Sequence, residues 1–207
     1  MPKFLLPEHH SVSDWDYQYG VGYITLDATY FVGAPTSLKI VYTPGGYPEF
    51  GILSRFATTL CLPQGELRSW LRVPASGDCY FTFRNQKAVG SADMVNCYKV
   101  NMTNVLAQLI RRVGGVGTLV GTVAIVHAAN TWEHWRLVWW NGNTLGGVDA
   151  LCFNFYKEIG GVWVQQGATL YDTVQAFKLS ATNRVGLCSQ TGPAVPNWFD
   201  ETEIWGP

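Results

Sequence analysis

The sequence predicts an all-β protein built as a sandwich of two antiparallel sheets. Three observations predict it. Aromatic residues make up 14% of the chain, and aromatic side chains suit the pleated, half-buried surface of a sheet. The 22 Gly and 10 Pro supply the turns that many short strands need. Apolar and polar residues alternate with period two almost throughout, and no segment defines a helix.

Each element follows from this pattern. Gly22–Thr29 reads as a strand, and Ser37–Tyr42 as another that Pro44-Gly45-Gly46 ends as a turn. Ile52–Leu60 is strand-like and stops near Pro63-Gln64-Gly65. Glu66–Val73 puts Glu66, Arg68 and Arg72 on one face and Leu67, Leu71 and Val73 on the other, until Pro74. Tyr80–Arg84 and Asn96–Met102 are strands. The segment Asn104–Val113 fits a helix face with Thr103 as N-cap, but its flanking glycines favour a hairpin, Val105–Arg112 with Gly117–Ile125. Trp132–Trp140 is a strong strand, Ala150–Lys157 and Gly161–Gln165 pair around Gly160-Gly161, and Arg184–Cys188 and Phe199–Trp205 close the chain. About twelve strands at regular spacing mark an all-β sandwich. Residues 14–207 read as one such domain, and residues 1–13, with Pro2, Pro7 and little periodicity, as an N-terminal arm.

Composition narrows the function. With 47% hydrophobic and 14% charged residues, the chain of 207 residues is not disordered. A formal net charge of −1 leaves no basic surplus to neutralise phosphates, so a nucleic-acid partner is not expected. So little charge is a colloidal liability for a free monomer, which hints that a partner covers part of the surface. The start has only Phe4-Leu5-Leu6 as an apolar run, too short for a secretory leader, so synthesis in the cytosol is expected. Val113–Trp132 lacks formal charge, but Gly114, Gly115, Gly117 and Gly121 break it into buried strands rather than a membrane helix.

The five cysteines (Cys61, Cys79, Cys97, Cys152, Cys188) form no CxxC, which leaves zinc unsupported and reduced, buried thiols expected. Neither G-x-x-x-x-G-K-[ST], G-x-G-x-x-G nor G-x-S-x-G occurs. Of the four histidines, His9-His10 falls in the arm, His127 in an apolar run as a core histidine, and His134 in the Trp-rich strand.

Four segments carry a resemblance. Ile24-Thr25-Leu26-Asp27 with Gly33–Ile40, Tyr80–Gln86 with Cys97–Val100, Leu109–Gly115 with Thr131–Trp139, and Asn183–Leu187 with Trp198–Ile204 occur in the order of core strands in the concanavalin A-like jelly-roll superfamily. The chain resembles that superfamily of lectins, carbohydrate-binding modules, glucanases and lyases. The resemblance implies a jelly-roll sandwich but not one function. It also implies a structural calcium held between an early acid and an aspartate of the last strand, for which Asp27 and Asp200 are the candidates. Glucanases of this fold carry carboxylates at i, i+2 and i+4 or i+5 on one strand. The nearest match, Glu201 and Glu203, lacks the third acid because Trp205 occupies the next position, so catalysis is not expected.

Within Trp132–Trp140, alternation puts Trp135, Leu137 and Trp139 on one face and Trp132, His134, Arg136, Val138 and Trp140 on the other. The second face has the makings of a sugar platform: Trp132 and Trp140 stack on the ring, while His134, Arg136, Asn141 and Asn143 hydrogen-bond hydroxyls. Aromatics with arginine equally mark a protein interface, and burial of both faces is the plainest reading. The expected function is a non-catalytic recognition and assembly module. It would be a virion-type structural protein (decoration, fibre or tail component) that contacts other subunits through its arm and glycans through this face, with no membrane insertion. A free lectin module and a glucanase or lyase of the same fold are the alternatives.

Overall fold

The computed structural model describes residues 15–18, 24–33, 36–41, 50–54, 64–86, 95–177, 184–189 and 196–206. The expected arm, residues 1–13, lies outside them, as do His9, His10 and Cys61. The described residues form fourteen strands: β1 (Trp15–Gln18), β2 (Ile24–Asp27), β3 (Ser37–Val41), β4 (Phe50–Ser54), β5 (Gly65–Arg72), β6 (Cys79–Asn85), β7 (Cys97–Met102), β8 (Leu106–Val113), β9 (Val116–Ala124), β10 (Trp132–Asn143), β11 (Asp149–Ile159), β12 (Val162–Asp172), β13 (Arg184–Ser189) and β14 (Pro196–Trp205). Within segment 104–113, Leu106–Val113 is strand and not helix, as the hairpin reading expects: β8 pairs antiparallel with β9 around Gly114-Gly115, both at positive φ.

Two seven-stranded antiparallel sheets result, in the orders β1-β4-β13-β6-β7-β8-β9 and β12-β11-β10-β5-β14-β3-β2. The architecture is the jelly-roll sandwich. Alternation fixes what lies between the layers. Leu67 and Leu71 of β5, Trp135, Leu137 and Trp139 of β10, and Leu151, Phe153 and Phe155 of β11 point inward and are buried. They meet Phe81, Phe83, Tyr98, Val100 and Leu109 of the first sheet. Phe83 is the centre, stacked on Tyr98 at 5.3 Å, Trp139 at 4.8 Å and Phe153 at 5.4 Å between ring centroids. Offset rings at such spacing add to the area they bury.

The edges of the two sheets meet along β9 and β12. A Cβ on Gly121 would lie 2.8 Å from Leu170, and one on Gly167 (φ +66°) would lie 2.6 Å from Val123. Both glycines let the two edges approach. The expectation that Val113–Trp132 forms buried strands is overturned for β9: Val116 is 71% and Leu119 55% exposed. β9 is an edge strand that first touches the core at the partly buried Val120 and is fully buried only at Val123. No helix among the described residues is long and apolar enough to cross a membrane. Cys79, Cys97 and Cys152 are buried thiols, and burial pushes the Cys79 thiol far up.

Candidate functional site

The outward face of the second sheet gathers the polar and aromatic residues of five strands. The register aligns them in rows. Glu203 of β14 lies opposite Arg68 of β5, Arg68 opposite Arg136 of β10, Arg136 opposite Tyr156 of β11, and Tyr156 opposite Gln165 of β12. One row along, Trp70 lies opposite His134. Beyond it, Trp198 and Trp132 both lie opposite Arg72.

Two arginines directly opposite each other repel. Here Glu66, buried at the head of β5, separates the charges. Its Oε1 accepts from Arg68 Nε at 2.6 Å, and its Oε2 accepts from Arg136 Nε at 2.9 Å and Nη2 at 2.6 Å. Arg68 lies over Trp205 at 4.8 Å and Arg136 over Tyr156 at 5.1 Å, so each cation also meets a ring. Glu203 accepts from Trp205 Nε1 at 2.9 Å and lies 3.8 Å from Arg68 Nη1.

His134 sits in an aromatic slot. Its ring stacks on Trp70 at 4.7 Å and 9°, and meets Trp163 at 4.7 Å and 59°. Its Nδ1 pairs with Glu158 Oε2 at 2.6 Å, while its Nε2 is covered and has no hydrogen-bond partner. On the inner side of β10, Trp135 Nε1 donates to His127 Nδ1 at 3.1 Å, and Lys157 Nζ donates to Glu133 Oε1 at 2.7 Å. Burial pushes the Glu133 carboxyl up, but His127 and Lys157 outweigh it and bring it down to about 2.

At the far end, the loop 28–33 closes over the sheet. Asp27 Oδ1 accepts from the backbone N–H of Thr29 at 2.7 Å and Tyr30 at 3.3 Å, and its Oδ2 accepts from Trp198 Nε1 at 3.0 Å and faces Lys39 at 3.3 Å. Asp200 Oδ2 accepts from Val32 N–H at 2.6 Å, and Oδ1 from Glu201 N–H at 2.9 Å. The two carboxyls titrate in opposite directions. Burial raises both, but Trp198, the Thr29 and Tyr30 amides and Lys39 hold Asp27 well below the usual range, whereas Asp200, more deeply enclosed, stays raised despite its backbone donors.

The sequence-predicted residues divide accordingly. Trp132, His134, Arg136 and Trp140 are half-buried on the outward side of β10. Asn141 is not: alternation carries it to the inner side, where Arg84 Nη2, from a buried residue of the opposite sheet, donates to its Oδ1 at 2.6 Å. Asn143 shares that inward parity at the exposed strand end, so neither asparagine belongs with the outward set. The proposed metal pair is brought together only through the loop 28–33. Calcium takes about six to eight oxygen ligands. Here the oxygens of Asp27 and Asp200 accept N–H donors, and among the described residues no third His, Cys, Asp or Glu side chain joins them, so a calcium ion would have to take its remaining oxygens from backbone carbonyls and water. For Glu201 and Glu203, a bulge between Asp200 and Glu203 breaks the alternation. Glu201 is its positive-φ residue, and its carboxylate occupies the space a Cβ on Gly33 would need. Missed from the sequence were Trp70, Tyr156, Glu158, Trp163, Gln165 and Trp205 as members of the face. The polar parity of Glu66, Arg68 and Arg72 was its only visible signal.

No family model and no curated protein matches the chain. Solved structures do. An alginate lyase of the PL-14 type from Aplysia kurodai aligns over 98% of this chain and 98% of its own, with a TM-score of 0.62 at 13% identity. A Bacillus subtilis protein of unknown function with a galectin-like fold aligns over 99% and 94%, with a TM-score of 0.60 at 11% identity. The carbohydrate-binding module CBM66 from Bacillus subtilis aligns over 86% and 88%, with a TM-score of 0.54 at 13% identity. The chain therefore has the concanavalin A-like jelly-roll fold. Its structural neighbours include both binding modules and enzymes, and at these identities they define architecture alone.

Proposed function

We propose that this protein binds carbohydrate on the outward face of its second sheet, without catalysing its breakdown. The observation that carries this reading is the outward aromatic row of Trp70, His134 and Trp163, each half-buried, bordered by Arg68 and Arg136. Aromatic faces with a few fixed polar groups are what a saccharide site requires. The charges in it are already paired: Glu66 is clamped by two arginines, Glu158 engages His134 and Glu203 accepts from Trp205. Such carboxylates suit positioning better than the acid and nucleophile of a hydrolase. The test is calorimetric titration with a panel of oligosaccharides against the wild type, Trp70→Ala and Trp163→Ala. Binding that both variants lose supports the reading. Release of reducing ends or unsaturated products from the bound polymers would replace it with an enzyme of this fold.

A second reading, a subunit of a larger assembly such as a virion-type structural protein, is favoured by a different observation. The edge strand β9 carries no charged residue and exposes Val116 and Leu119. Exposed apolar residues of this kind are what a contact with another chain would cover. A sedimentation mass equal to one chain across micromolar concentrations would remove it.

A further inference from the structure

We infer that Arg72 is a receptor for an anionic group, a carboxylate or sulfate ester, carried on the bound saccharide. The inference rests on the carbohydrate-binding reading above and names the ligand class for one end of the same face.

Arg72 differs from Arg68 and Arg136 on the same face and from Arg111 on the other sheet. Arg68 and Arg136 share Glu66, and Arg111 holds Asp172 at 2.6 Å. Among the described residues, the interactions of Arg72 are with rings alone. Its guanidinium carbon lies 3.9 Å from the centroid of Tyr30 and 4.7 Å from that of Trp198. Those two rings meet edge to face at 5.1 Å and 70°, so the cation rests in the corner between them. The corner is built. Asp27 receives Trp198 Nε1 and the Tyr30 amide, fixing both rings, and Ser37 Oγ donates to the Tyr30 carbonyl at 2.5 Å.

A guanidinium has five N–H donors in a planar fork. A planar group in a corner of 70° cannot lie face-on to both rings, but neither ring accepts its N–H donors as a carboxylate or sulfate would, and these are the partners the fork matches. The surroundings supply the rest of a sugar subsite. Trp132 lies opposite Arg72 on β10, and Tyr30 and Phe31 are 39% and 45% exposed at the rim. Lys39, the other nearby cation, is already paired with Asp27, which leaves the charge of Arg72 uncompensated.

Calorimetry with oligogalacturonate, the same oligomer reduced at its carboxyls, dextran sulfate and dextran tests the assignment. The acidic oligomers should bind at least about ten-fold tighter than their neutral counterparts, the scale of one charge-assisted contact. Arg72→Gln should erase that ratio. Arg72→Lys should retain part of it. Which acid gains more decides between carboxylate and sulfate. An intact ratio in Arg72→Gln overturns the inference, and if that variant fails to fold, an undiminished ratio in Arg72→Lys overturns the fork geometry. Neutral binding that depends on Trp70 but shows no acid preference sinks the Arg72 assignment alone. Absence of binding to every oligomer sinks the carbohydrate reading with it.

Discussion

The two ends of the outward face solve the same problem, cations on a sheet, in opposite ways. At the Glu66 end, Arg68 and Arg136 are pinned to one buried carboxylate and pressed against rings, so their charge is spent inside the protein. At the Arg72 end the rings are present, but the carboxylates of Asp27 and Asp200 are engaged by Trp198, Lys39 and backbone N–H groups and do not pair with Arg72. The comparison teaches that an arginine count says little about a binding surface. Pairing decides whether a guanidinium builds the sheet or remains available to a ligand.

The largest effect that would break this comparison is at Glu66. Glu66→Ala should leave two facing arginines uncompensated and cost about 3 kcal/mol, read as a lowered urea midpoint at unchanged slope. If stability is untouched, the clamp is decoration and the two ends do not differ. Next comes the slot between them: Trp70→Ala should weaken saccharide binding by about ten-fold or more while shifting stability by roughly 1 kcal/mol. The loop at the Arg72 end gives a smaller, pH-dependent effect. Asp27 is held below its ordinary value of 3.8, so its contribution is full above pH 4 and is lost as pH falls toward its folded-state value. Asp200 is raised above 3.8, so its contribution is full below pH 4 and is lost as pH rises through its folded-state value. Urea midpoints from about pH 3 to 7 should therefore show the Asp27→Asn deficit, about 1 kcal/mol at neutral pH, shrinking in acid. The Asp200→Asn deficit should grow in acid. Matching slopes for the two variants would contradict the opposite shifts. The smallest effect is at Glu203, whose contact with Arg68 is long and partly exposed. Glu203→Gln should change stability by less than about 0.5 kcal/mol.

Much of this was legible in the residues. The parity of Glu66, Arg68 and Arg72 against Leu67, Leu71 and Val73 was visible in one strand's text, as was that of Trp135, Leu137 and Trp139, and these apolar sets are the buried ones. The hairpin of β8 and β9 was legible from its glycines. Asn141 was readable too, since its odd position places it with Trp139, but proximity to Trp140 drew it into the wrong set. Tyr156, Trp163 and Trp205 were not readable as partners of Arg136, His134 and Arg68, because they lie 20 or more residues away in sequence and only pairing register joins them.

The sequence by itself determined the two-layer all-β body and the inward set of each strand, because side-chain direction in a strand repeats every two residues and needs only local text. Tertiary structure decided which outward residues meet. Register, the bulge that takes Glu201 out of line and the loop that lays Tyr30 on Arg72 all come from contacts between distant segments. Those contacts separate the spent cations from the available one, a difference that identical arginine letters do not record.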